Sequence, residues 1–243
     1  NPAKWGFMRA GTAIFLDGRI SCLRPTRTVG VASVARRLPA MAELHLKHDR
    51  NMLAVLGDAD RVAWEDMLES RILPDYTGDR LPSVGRNRQA AELKWSVNGD
   101  GRGIYQATSS LAQAYTGHAG RFNEATRGRI RVASPDFVAL TVTPLDDAAT
   151  KILVTACGRC ENTGMKFSPD RRTVGRNWGE APVRIEPVQG SMVLPEGKWT
   201  CHALAPNGSP RQNVPVTYEN GRGVLALSPE YGTMWYLLER QVK

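Results

Sequence analysis

Trp178 sits in the polar run Arg176-Asn177-Trp178-Gly179-Glu180, Tyr105 stands beside Gln106 in a glycine-rich stretch, and Tyr231 follows Pro229-Glu230. An aromatic ring with amide and charged neighbours suits a sugar. Pyranose rings present apolar CH faces that stack on indole or phenol, while their hydroxyls need polar partners. Trp178, Tyr105 and Tyr231 are therefore the candidate sugar platforms, with Asn177 and Gln106 as polar partners. Trp95, Trp199 and Trp235 lie in alternating apolar runs and are expected in the core.

Other reactive types occur without the spacing their chemistry needs. Cys157-Gly158-Arg159-Cys160 has CxxC spacing, but Cys22 and Cys201 are isolated and His45, His48, His118 and His202 form no ligand pattern. Zinc wants a second ligand pair. A redox dithiol wants a helix start after a strand, whereas here the run 151–156 leads into Glu161-Asn162-Thr163-Gly164, read as an Asn/Gly turn. The thiols are read as buried or incidental, and neither a metal nor a cofactor is expected. Asp100-Gly101-Arg102-Gly103 lacks the Lys-Ser/Thr of a phosphate loop and reads as a hairpin turn. Trp64-Glu65-Asp66 reads as helical surface acids beside a buried indole.

The elements that must position these residues change character along the chain. Asn1-Pro2 reads as a helix cap followed by proline at the first helical position, opening a helix over 1–20 that ends near Gly18. Helical or mixed character continues over 29–73, with candidate helices over 34–48 and 61–73. From Pro74 onward short alternating runs dominate, giving candidate strands at 93–97, 103–108, 129–133, 137–143, 151–156, 183–186, 191–194, 199–204, 214–218, 223–227 and 233–238. Turns are expected at 98–101, 206–208 and 219–221. The expected organisation is a helical segment over 1–75 and an antiparallel β-sandwich region, one sandwich or two small ones, over 76–243. The fold class is thus mainly β with a helical N-terminal part.

The 243 residues suffice for a sizeable core. The net charge is +8, from 32 basic and 24 acidic residues, but the positives are scattered rather than striped. Nucleic acid is therefore not expected as a partner. Neither is a membrane, because no unbroken apolar run reaches the length of a crossing. No basic head with an apolar run reads as a secretory leader among these residues. The apolar stretch 5–16 needs covering, and the chain reads as a piece of a longer precursor.

Several segments together resemble the C-terminal regions of large bacterial glycoside hydrolases with a (β/α)8 catalytic barrel. They are Phe137–Asp146, Lys151–Ala156 followed by Gly158-Arg159, Glu161–Met165, Trp178–Val183 and Thr233–Tyr236, while 1–20 resembles the helix that closes the barrel. The cysteines at 157 and 160 depart from that pattern. The resemblance implies that the catalytic carboxylates, which in barrel enzymes lie at the C-terminal ends of barrel strands, fall upstream of Asn1. It implies a chain that is not active alone, packs on its own upstream barrel and helps to hold a polysaccharide or oligosaccharide. A secreted or periplasmic location follows from the same likeness, and Trp178 would then either contact sugar or pack against the barrel. A stand-alone carbohydrate-binding module, and one part of an intact hydrolase whose catalytic part lies on another segment or chain, are the alternatives.

Overall fold

The computed structural model describes residues 6–16, 25–30, 71–75, 93–109, 111–170 and 173–241. The chain divides into two compact units, one of Asn1–Ile20 with Ser96–Lys243 and one of Ser21–Trp95. In the smaller unit, β1 (Pro25–Gly30) pairs in parallel with β2 (Arg71–Asp75). The helix expected over 61–73 is thus overturned at its end. Ile72 and Leu73 precede Pro74, which disfavours helical backbone at the residue before it, and extended pairing takes the segment instead. The same pairing replaces the expected helical or mixed character at 29–30. The candidate helix 34–48, Gly18, Trp64-Glu65-Asp66 and Cys22 lie outside the described residues.

The larger unit opens with α1 (Met8–Phe15), where the sequence predicts a helix over 1–20. Its strands are β3 (Leu93–Val97), which straddles the division between the units, then β4 (Gly103–Thr108), β5 (Gln113–His118), β6 (Ile130–Ser134), β7 (Phe137–Pro144), β8 (Lys151–Cys157), β9 (Cys160–Thr163) and β10 (Glu180–Ile185). There follow β11 (Gln189–Val193), β12 (Trp199–Leu204), β13 (Pro210–Asn213), β14 (Val216–Glu219), β15 (Arg222–Leu227) and β16 (Trp235–Arg240). A short helix α2 (Ala119–Ala125) links β5 to β6. One sheet has eight strands in the order β13-β12-β16-β8-β7-β5-β4-β3, and a second has four in the order β14-β15-β11-β6. A separate two-stranded ribbon pairs β9 with β10.

Period-2 alternation sorts the side chains. Val138 and Leu140 of β7, Ile152, Val154 and Ala156 of β8, and Tyr236 and Leu238 of β16 form a core with Met192 of β11 and Leu225 and Leu227 of β15. The core thus joins both sheets, as in a β-sandwich. Phe122 of α2 is fully buried in it and lies 6.2 Å from the Tyr115 ring. The opposite side of the eight-stranded sheet carries Thr141, Thr155 and Trp235 in one register row. Helix α1 packs against β7 and buries Ala10 and Ala13, and Trp235 Nε1 donates to Gly6 O at 3.1 Å. A Cβ at Gly6 would collide with the Met234 side chain.

The antiparallel β architecture follows the alternation in the sequence, and the turns at 98–101 and 219–221 form with positive φ at Gly101, Asn220 and Gly221. Among the strands and α-helices of the larger unit, four are additions: β5, β9, β13 and α2. The expected turn at Glu161–Gly164 is corrected. Residues Cys160–Thr163 are strand, because β10 supplies ladder partners for all four, and only Gly164 turns away, with φ +74°.

Candidate functional site

The ribbon β9–β10 holds the most site-like surface. Its strands are antiparallel, with an irregularity between Glu180 and Val183. The segment joining them folds back on the ribbon through its own backbone. Asn162 Nδ2 donates to Trp178 O at 2.8 Å, Lys166 N to Asn177 O at 3.0 Å, and Thr163 Oγ1 to Pro182 O at 2.7 Å. Gly179 makes this return possible. Its φ is +66°, and a Cβ there would collide with Thr163 O and Met165 N.

The outcome is an indole held out in solvent: Trp178 is 59% exposed, more than any aromatic side chain among the described residues. Exposing so large an apolar surface is unfavourable unless something covers it in use. Next to the Trp178 backbone lies a groove of about 420 Å³ lined by Arg159, Glu161, Asn162, Met165, Arg184 and Glu186. Glu161 and Arg184 face each other in register, and Arg159 meets Glu186 through a 3.7 Å ion pair and a 3.0 Å bond from its backbone N–H. Guanidinium and amide donors alternate with carboxylate acceptors, the mixture that a polyhydroxyl ligand needs.

Of the other candidates, Tyr105, Gln106 and Tyr231 do not join this site. Asn177 is exposed and adjoins Trp178, its backbone tied to Val174 and Lys166. Tyr105 is half-buried in the middle of β4, on the side of the sheet that carries Thr116, Ala139 and Cys157 in register. Gln106 is 9% exposed and points the other way, in the row of Tyr115, Leu140 and Ala156, so it cannot serve as an exposed sugar partner. Tyr231 is likewise corrected. It stands in a short 3-10 turn, Pro229–Tyr231, is 8% exposed, and packs edge-on to Tyr236 at 6.2 Å within the core. Of the tryptophans expected inside, Trp199 is buried with Nε1 donating to Pro195 O at 2.9 Å, while Trp95 and Trp235 are half-buried.

The described thiols sit in strands. Cys157 ends β8 and Cys201 lies in β12, both buried and unbridged, and burial pushes their pKa values up to about 11 and about 12. Such thiols are protonated and poorly nucleophilic at neutral pH. Among the described residues no three His, Cys, Asp or Glu side chains are grouped to hold a metal ion. No described helix is long and apolar enough to cross a membrane.

The sequence reading does not single out Arg159, Arg184 and Glu186 as site residues, and it weighs Glu161 as an acid at a strand end but prefers a turn there. The available signal was the spacing of charges two apart, at 159/161 and 184/186, which puts each pair on one side of an extended strand. Neither family models, curated proteins nor solved structures give a match to this chain.

Proposed function

We propose that the larger unit is a non-catalytic ancillary region of a polysaccharide-degrading glycoside hydrolase, which holds glycan at Trp178 and packs on a catalytic barrel elsewhere in the parent protein. The observation that carries the glycan part is the exposed Trp178 indole, whose backbone carbonyl is bonded to Asn162 in the wall of a groove lined by guanidinium and amide donors and carboxylate acceptors. A sugar ring stacks on the indole, and its hydroxyls take Asn162, Glu161 and Arg184. The barrel part rests on the resemblance of Phe137–Asp146, Lys151–Ala156, Glu161–Met165 and Trp178–Val183 to such enzymes. It is supported by Met8 of α1 and Leu16 just after it, exposed apolar residues that a further domain would cover. A secreted or periplasmic location belongs to the same proposal.

Affinity electrophoresis against soluble β-glucan, xylan and mannan tests the site. Retention by at least one polymer is expected, and Trp178→Ala removes it while the melting temperature stays nearly constant. Unretarded migration in all three, or retention unchanged in Trp178→Ala, defeats the glycan assignment. No reducing ends are expected from these polymers beyond a heat-killed control, and clear turnover defeats the non-catalytic part.

A further inference from the structure

Two adjoining hollows, of about 260 Å³ and about 240 Å³, lie along the four-stranded sheet and share Arg129, Val193 and Arg222 in their walls. Arg127 lines the larger one. Three chain segments make this wall, and backbone bonds fix them to one another. Val193 N donates to Arg129 O and Leu194 N to Gly223 O, each at 2.8 Å. Arg127 lies in left-handed backbone, φ +53°, and its N–H is tied to Glu124 O at 3.1 Å. Arg129 Nε is taken by Thr126 O at 3.2 Å, which fixes that side chain and leaves its terminal nitrogens to other partners.

Three arginines thus line adjoining hollows, with no carboxylate within 4.0 Å of any of their guanidiniums among the described residues. Glu196 and Glu219 line the same hollows without pairing to them. Like charges along one wall repel, and a bound oxyanion relieves that repulsion through forked, charge-assisted hydrogen bonds. The two glutamates decide between anions. They accept hydrogen bonds from hydroxyls but repel a densely charged polyphosphate, so a hydroxyl-rich ligand with one acidic group per unit fits best.

The geometry points to an anion subsite at Arg127, Arg129 and Arg222 that takes the carboxylate or sulfate of an acidic sugar residue. The choice of a sugar rests on the glycan reading above, but the subsite uses β6, β11 and β15 rather than the ribbon. Affinity electrophoresis of the whole chain against polygalacturonate and its methyl ester, and against dextran sulfate and dextran, tests it. Wild type is expected to be retained more strongly by at least one charged polymer than by its uncharged counterpart, and which one distinguishes carboxylate from sulfate. Arg127→Ala and Arg222→Ala, both at exposed positions, should each cut that excess roughly tenfold. Trp178→Ala should leave the excess in place. Equal retention by charged and uncharged polymers, or an excess unchanged in both arginine variants, overturns the subsite. So does duplex DNA retained as strongly as the acidic glycan and lost in the same variants. Absence of any neutral-glycan retention in wild type counts against the ribbon site alone, so the two failures are distinguishable.

Discussion

Strands β7 and β8 and the ribbon β9–β10 follow one another in the chain, yet the two regions are stabilised in opposite ways. In β7 and β8 burial extends to both sides: Leu140 and Val154 are fully buried toward the core, and Thr141 and Thr155 are buried on the other side. In the ribbon none of the four β9 residues is fully buried, and β10 is exposed or half-buried throughout. Order there comes from backbone bonds and one glycine rather than from apolar packing. A region held by hydrogen bonds can present a large indole to solvent without disturbing the core. Stability and recognition are in this way assigned to neighbouring segments.

Substitutions can break that separation, beginning with the core. Leu140→Ala is expected to cost about 2–5 kcal/mol, measured by urea unfolding, because the cavity left between two sheets cannot collapse. A cost below about 1 kcal/mol would mean that the sandwich core is not close-packed there.

The next effect is alkaline destabilisation, and it should be confined to the core. Cys157, Cys201 and Tyr236 have pKa values raised to about 11, about 12 and about 12, in each case mainly by burial. The native state keeps protons that the unfolded chain releases. The stability linked to these groups is therefore complete below pH about 9, and it is lost as pH rises toward 11–12. Melting temperatures that stay flat from pH 8.5 to 11 would contradict this burial.

A smaller, local effect is expected from Gly179→Ala. The added methyl group meets Thr163 O and the left-handed backbone becomes costly, about 1–2 kcal/mol. Hydrogen exchange should quicken at Lys166 and Asn177 but not in β7 or β8, and glycan retention should fall. Faster exchange in β8 as well would show that ribbon and sandwich unfold as one unit. The smallest effect on stability belongs to Trp178→Ala, expected within about 0.5 kcal/mol of wild type. A larger loss would place the indole in packing that the two-region comparison denies.

Residue patterns explain which parts of this were legible. Strands β3, β4 and β12 coincide with their predicted ranges, because each is a short alternating or apolar run bounded by turn residues. Strand β5, with the sequence QAYTGH, lacks such a run. It is strand because β4 and β7 flank it and supply ladder partners on both sides. Helix α2 has the single large apolar residue Phe122, too little for a periodic signal, and its place is set by the cavity that Phe122 fills. At the candidate site the exposed indole was legible in its polar, glycine-containing loop, whereas the groove beside it was not. Arg159 and Arg184 are far apart in sequence and come to line one groove only when β9 pairs with β10.

By itself the sequence determined the antiparallel β character of 93–240, its main turns, and Trp178 as the aromatic residue with the most polar surroundings. Tertiary structure alone decided which side of each strand faces inward. Alternation separates Tyr105 from Gln106 but does not say which of the two meets the core. Pairing across β4, β5, β7 and β8 put Gln106 there, in line with Leu140. Tyr231 was decided in the same way. Four residues separate it from Tyr236, and the closing strand β16 carries Tyr236 into the core, where the two rings meet edge to face. A loop aromatic becomes core or platform according to whether distant strands leave it a cavity to fill, and that is settled by contacts far away in sequence.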